Sequence, residues 1–176
     1  MDNIYELVKW PDERLTTKAE LATENDDVRE ITARMFATIE REMGIGLAGN
    51  QVGILKRIIV VNIPSMDGGA PFKAAMVNPE IIQKSQHLQE REEGCLSFPG
   101  VNAKISRSAD ITVKWDSSEG VQHQATLSGL AATCVQHEID HLDGITYPYR
   151  LSLLKRQRLI EQYQKKRKII AKHRPG

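Results

Sequence analysis

Between Asp26 and Met43 the apolar positions fall at Val28, Ile31, Met35, Ile39 and Met43. That spacing of three to four residues lays one apolar stripe along a helix. Asp26 or Asp27 stands where an N-cap belongs, and Gly44 and Gly46 end the run. The period then changes. Arg57–Ile63 holds the unbroken run Ile58-Ile59-Val60-Val61 of a strand, and Ala74–Ile82 predicts a second strand bent at Pro79, with a loop at Asp67-Gly68-Gly69 between them. Val101–Ile105 is a further strand candidate. Ile111–Trp115 and Val121–Leu127 flank Asp116-Ser117-Ser118-Glu119-Gly120 and read as a hairpin. Ser128 or Gly129 opens a second helix that runs to about Leu142 and is closed by Gly144. Tyr147-Pro148-Tyr149 breaks the chain before a third helix from about Ser152. The first 25 residues form an irregular lead-in. This order predicts an α+β fold, with mostly antiparallel β-sheets around the second helix and a helix toward each terminus.

Composition sets the class. The chain has 176 residues, 40% of them apolar and 27% charged, with two cysteines. That fits one domain with a true core and excludes both a disordered chain and a disulfide scaffold. The net charge of +1 conceals an uneven distribution. From Leu151 to Gly176 nine Lys and Arg face one acid, Glu161, so this segment carries +8 and the remainder carries −7. Charges at Asp2, Glu6, Lys9, Asp12, Glu13 and Arg14 leave no apolar export segment, and Ile58–Val61 is far too short to span a membrane. The expectation is a cytoplasmic protein whose Cys95 and Cys134 are thiols.

The second helix carries His137-Glu138-Ile139-Asp140-His141, an HExxH motif. Side chains four apart share a helix face, so the two imidazoles can reach one divalent ion, and Glu138 can lean toward a water on that ion. A catalytic centre needs a third ligand. The downstream acids are Asp143 and Glu161, and the downstream His173 lies in the basic tail, so none suits. The candidate comes from upstream, Cys95 in Glu93-Gly94-Cys95-Leu96-Ser97, although a lone Cys taken by itself reads more readily as a small buried apolar residue. Cys134 lies on the helix face of His137 and His141 and reads as pocket wall. Gly44-Ile45-Gly46-Leu47-Ala48-Gly49-Asn50-Gln51 lacks the Gly-Lys-Ser/Thr of a phosphate loop and follows a helix rather than a strand. Its small residues let backbone approach a ligand, and Gln51 can donate to a developing oxyanion.

Gly44–Gln51, Glu93–Ser97 and Gln136–His141 together resemble, in order, the GxGLAAxQ, EGCLS and QHExDH signatures of the peptide deformylases, in the bacterial type with a C-terminal helix. The resemblance implies hydrolysis of the N-formyl group from the formylmethionine that starts new chains, with release of formate. It implies that Cys95, His137 and His141 hold one divalent metal ion, natively ferrous iron and on isolation often zinc, nickel or cobalt. Glu138 would act as general base, and Gln51 with the Leu96 N–H would face the oxyanion. Substrate would lie against Gly44, Ile45, Gly46, Glu93 and Gly94, with Leu130, Thr133 and Cys134 walling the methionine pocket. Residues 1–150 would be the catalytic core, and 151–176 a basic helix and tail of the same domain.

This chain departs from the family at three positions. Gly49 replaces a second Ala, Asn102 stands near a frequent Arg, and Thr133 is polar where relatives tend to be aliphatic. Behind the ligands, Arg107 and Asp140 can pair. Two other readings stay open at this level: an HExxH endopeptidase, and a non-enzymatic module driven by the basic tail. That tail is either a solvated helix or a ribosomal RNA contact. No DNA or membrane partner is expected.

Overall fold

The computed structural model describes residues 3–65 and 70–172. The described residues form three α-helices and seven strands. The helices are α1 (Val28–Arg41), α2 (Gly129–Leu142) and α3 (Leu153–Lys172). The strands are β1 (Gly46–Ala48), β2 (Ile58–Ile63), β3 (Phe72–Lys84), β4 (Leu88–Glu93), β5 (Ala103–Ser108), β6 (Asp110–Asp116) and β7 (Gln122–Ser128). One antiparallel sheet runs in the order β1-β2-β3-β6-β7, and β4 pairs with β5 in a separate antiparallel ribbon. The architecture is the α+β arrangement that the sequence pattern predicts, with the HExxH helix at its centre.

The unbroken apolar run of β2 has a simple cause. Side chains alternate across a strand, and here both faces are covered. Ile59 and Val61 turn toward α2, where they join Val135, Ile139 and Leu142. Ile58 and Val60 turn the other way and meet Met35 and Ile39 of α1. A third cluster sits under α3, where Leu159 and Tyr163 pack on Phe98, Val101, Ile105 and Tyr147. Phe98 follows Cys95 by three residues, so α3 anchors the loop that carries this cysteine. The Tyr163 hydroxyl also donates to Trp10 O (3.1 Å), and the Trp10 ring stacks on Phe98, which ties the irregular lead-in to the same loop.

Several boundaries differ from the expectation. Asp27 caps α1 through its carboxylate and the Glu30 N–H (3.2 Å), but the helix stops at Arg41. Met43 takes a left-handed φ of 54° and Gly44 N–H donates to Ile39 O (2.9 Å), so Met43 leaves the apolar stripe and is 91% exposed. The bend expected at Pro79 becomes a register shift between β3 and β6 across Val77 and Glu80. Asn78 takes a φ of 49° there, and its amide bonds both backbone groups of Ala22. Val101–Ile105 becomes a later strand, β5. The strand β4, Leu-Gln-Glu-Arg-Glu-Glu, gives no hydropathy signal, since its buried alternation is carried by polar residues. The expected loop at Asp67–Gly69 lies outside the described residues.

Gly49 opens a short 3₁₀ turn, Gly49–Val52, that presents Gln51. A Cβ at position 49 would run into the carbonyl of Ile54 and stand 2.8 Å from Lys56 O. Both obstacles are backbone, so this chain has no room for the Ala of its relatives. Gly49→Ala is expected to destabilise the protein by about 1–3 kcal/mol, as overpacking does. Denaturant unfolding of the two proteins checks this; equal or greater stability of the variant contradicts the steric account.

Candidate metal centre and active site

α2 passes through the middle of the molecule, and every residue from Ala132 to Leu142 is buried. Ionisable side chains in such a helix need partners or a ligand. Cys95, His137 and His141 converge: one ligand atom from each lies within 4.8 Å of the others. Cys95 Sγ is 3.3 Å from His141 Nε2, and the two rings stand 5.0 Å apart. His141 holds one turn from His137 on the same helix face, while Cys95 arrives on the loop after β4. A thiolate with two imidazoles is a donor set suited to a divalent transition metal, and the three residues fit one.

Glu138 borders this cluster. Its carboxyl is buried, and its Oε2 has no hydrogen-bond partner among the described residues. Burial pushes this carboxyl up to about 7. On the other side it meets the β1 backbone, since a Cβ on Gly46 would stand 2.6 Å from Glu138 Oε1 and 2.7 Å from Cys134 Sγ. Only glycine lets the β1 backbone come this close to both groups.

A buried ion network lies behind His137. His137 Nδ1 is 2.9 Å from Glu93 Oε2. Arg107 clamps Glu93 with two bonds, Nε to Oε1 (2.6 Å) and Nη2 to Oε2 (3.0 Å), and reaches Asp140 Oδ2 with Nη1 (2.8 Å). Arg150 closes the chain on Asp140 at 2.5 and 2.9 Å. Two carboxylates thus face two guanidinium groups. Burial would raise Glu93, but its bonds from His137 and Arg107 hold it below the usual carboxyl value. Burial would likewise lower His137, yet the contacts to Cys95 and Glu93 hold it well above an ordinary histidine. His141 has no such carboxylate. Burial holds it well below its usual value, and its Nδ1 is unpartnered among the described residues. The expected pairing of Arg107 with Asp140 is present. Arg150 and the commitment of Glu93 to His137 are features that spacing does not reveal.

Gln51 is fixed as a donor toward the centre. Its Oε1 accepts from Ala48 N–H (2.9 Å), which turns Nε2 to Cys95 Sγ (3.4 Å) and Ser97 Oγ (3.3 Å). Leu96 lies next to Cys95 in a tight turn closed by Phe98 N–H and Cys95 O (2.9 Å), and Lys9 Nζ holds the Leu96 carbonyl at 2.7 Å.

A cavity of about 260 Å³ opens onto these groups. Gly44, Ile45 and Gly46 form one side, and Glu93, Gly94 and Leu96 another. Leu130, Thr133 and Cys134 of α2 lead away from His137 along the third. Met43 and Glu92 also line it, and neither stands out in the sequence. Asn102 stands at the rim, where its amide donates to Glu92 Oε1 (3.3 Å). A larger cleft of about 480 Å³ opens on the far side of α2 against Arg107 and Asp140 and holds none of the metal or pocket candidates.

Fold and site together define a metal-dependent hydrolase built on an HExxH helix. Residues 4–157 match the family model described as polypeptide deformylase. The chain is 39% identical to the peptide deformylase of Erythrobacter litoralis, over 93% of this chain and 97% of that one. It is equally similar, at 39%, to that of Afipia carboxidovorans, over 96% and 99%. The crystal structure of peptide deformylase from Ehrlichia chaffeensis superposes with a TM-score of 0.89 at 34% identity, covering 96% of this chain and 99% of that one. The chain belongs to the peptide deformylase family. Its reaction is the hydrolytic removal of the N-formyl group from the formylmethionine of new polypeptides.

The ion network gives a stability test. Arg107→Ala leaves buried Glu93 with His137 alone and Asp140 with Arg150 alone, and the expected loss is about 3–5 kcal/mol. Thermal and denaturant unfolding measure it; a loss under about 1 kcal/mol, typical of exposed pairs, contradicts the network's role.

Proposed function

We propose that Cys95, His137 and His141 hold one divalent metal ion, natively ferrous iron, with zinc, nickel or cobalt able to take its place. We further propose that Glu138, Gln51 and Leu96 carry out deformylation beside it. The convergence of the three donor atoms next to the unpartnered Glu138 carboxylate is the observation that supports this most. When bound, the ion supplies Lewis-acid charge and lowers the pKa of water toward about 7.

The chain's own residues do the rest. Glu138 takes the proton of the attacking water on its carboxylate as the water oxygen bonds to the formyl carbon. A carboxyl raised to about 7 holds that proton at neutral pH and then gives it to the amide nitrogen as the C–N bond breaks. Formate and a free amino terminus result. The Gln51 amide, locked by Ala48, and the Leu96 N–H donate to the formyl oxygen as it gains charge. Glu93 fixes the His137 ring through Nδ1. Gly44, Ile45, Gly46 and Gly94 offer backbone to the peptide, and Ile45, Leu130, Thr133 and Cys134 enclose the methionine side chain. An endopeptidase would need a cleft open at both ends of the scissile bond, and a cavity of about 260 Å³ favours one terminal residue.

Residues 1–150 are read as the catalytic core and 151–176 as a basic appendage of the same domain, placed in the cytoplasm where new chains emerge. Among the described residues no helix is long and apolar enough to cross a membrane. In α3, Lys155, Arg158, Lys165, Lys168 and Lys172 are exposed, while Leu159 and Tyr163 are buried. The exposed face suits phosphate contacts with ribosomal RNA.

Two experiments test these readings. Protein purified anaerobically and loaded with ferrous iron is expected to release formate from formyl-Met-Ala-Ser. Glu138→Ala should keep its metal and lose about 10²–10⁴-fold in turnover. Cys95→Ala and His141→Ala should lose the metal by elemental analysis. No formate release, or an active Glu138→Ala, overturns the assignment. For α3, Lys165→Glu/Lys168→Glu/Lys172→Glu spares the buried Leu159 and Tyr163. It should abolish co-sedimentation with ribosomes at low salt; unchanged co-sedimentation removes the ribosome contact.

A further inference from the structure

Thr133 lines the pocket beside Ile45, Leu130 and Cys134, and its hydrogen bonds differ from those of the helical threonines of α1. In α1, Thr32 and Thr38 each return their proton to the carbonyl four residues back, Val28 O (2.8 Å) and Arg34 O (2.7 Å). The matching carbonyl for Thr133 is Gly129 O, and Gln89 Nε2 of β4 takes it instead, at 2.8 Å. The second Gln89 Nε2 hydrogen goes to Thr133 Oγ1 at 3.0 Å. Both amide hydrogens are thereby used. Thr133 becomes an acceptor, and its own O–H proton is left to donate elsewhere. The neighbouring pocket thiol, Cys134, instead points at Ile45 O (3.7 Å).

Position decides what this proton can meet. Thr133 precedes His137 by four residues, a rise of about 6 Å, which places it just over one helical turn up the pocket from the reacting centre. That distance is within reach of the sulfur region of a methionine side chain whose α-carbon sits beside the formyl group. The thioether is a weak acceptor, whereas a sulfoxide carries a strong, neutral and stereospecific one. A neutral donor beside Ile45, Leu130 and Cys134 suits that group.

We propose that Thr133 determines specificity at the side-chain pocket by donating to the oxygen of methionine sulfoxide, so that this enzyme deformylates chains whose initiator methionine has been oxidised. The inference rests on the deformylase reading of the site.

The test compares formyl-Met-Ala-Ser, the two separated sulfoxide epimers and formyl-norleucyl-Ala-Ser on metal-loaded wild type, Thr133→Val and Thr133→Ser. Within each protein, kcat/KM is normalised to the norleucine peptide. In the wild type one epimer should be favoured over the other. Thr133→Val should lower that epimer's relative kcat/KM about fivefold to tenfold, the worth of one hydrogen bond, and Thr133→Ser should restore it. Calorimetric binding of the deformylated sulfoxide tripeptides should show the same epimer preference and the same loss. Equal epimers, or a relative rate that Thr133→Val leaves unchanged, overturns the role of Thr133 while formyl-Met turnover stands. Failure on formyl-Met and formyl-norleucine alike overturns the deformylase reading itself.

Discussion

The buried charge network of Glu93, Arg107 and Asp140 is the constraint on which the rest of the structure depends. α2 runs through the core with His137, Glu138, Asp140 and His141 all enclosed. A helix that polar is unstable in an apolar interior unless its charges are paired. Arg107, on a strand of the separate ribbon, neutralises Asp140 from α2 and Glu93 from the neighbouring strand in one contact set. It thereby joins the ribbon to the helix. The same contact fixes the Cys95 loop, because Glu93 precedes Cys95 by two residues, and it aims His137, because Glu93 holds Nδ1. Stability and ligand geometry are here one interaction.

The remaining elements place the candidate site groups around that helix. β2 is sandwiched between α1 and α2, which explains its apolar run Ile58–Val61, and β1 pairs beside it. Gly46 lets β1 approach Glu138, and the turn after β1 locks Gln51 through Ala48. α3 supports the Cys95 loop from outside through Phe98. The site therefore draws on one helix, one edge strand and one loop, each secured by a different part of the core. Such division secures each group from a separate part of the core.

Asymmetry between the two histidines follows from the same layout. His137 faces the ribbon and receives a carboxylate. His141, one turn later, has no partner for its Nδ1 among the described residues. The pocket shows a parallel asymmetry. Leu130 of α2 and Ile45 before β1 give it an apolar wall, while β4 contributes Glu92 and Glu93, and Gln89 of the same strand bonds the hydroxyl of Thr133.

How much of this was legible in the chain depended on the range of the signal. The apolar stripe of α1, the Ile58–Val61 run and the hairpin of β6 and β7 were readable because each is set by residues close in sequence. HExxH was readable for the same reason: helix periodicity alone puts His137 and His141 on one face. Cys95 was reachable only as a candidate, after the downstream residues were set aside, and the family resemblance then singled it out, because a lone Cys carries no local mark of its partners. β4 was hidden because its inward positions are the half-buried Gln89 and Arg91 and the buried Glu93, whose fitness for the interior exists only once α2 and Arg107 face them. The end of α1 before Met43 was likewise decided by the turn into β1. Local sequence determined the elements and the chemistry of the HExxH helix. Tertiary structure decided which buried polar groups are paired, since pairing energy depends on distances between segments far apart in the chain.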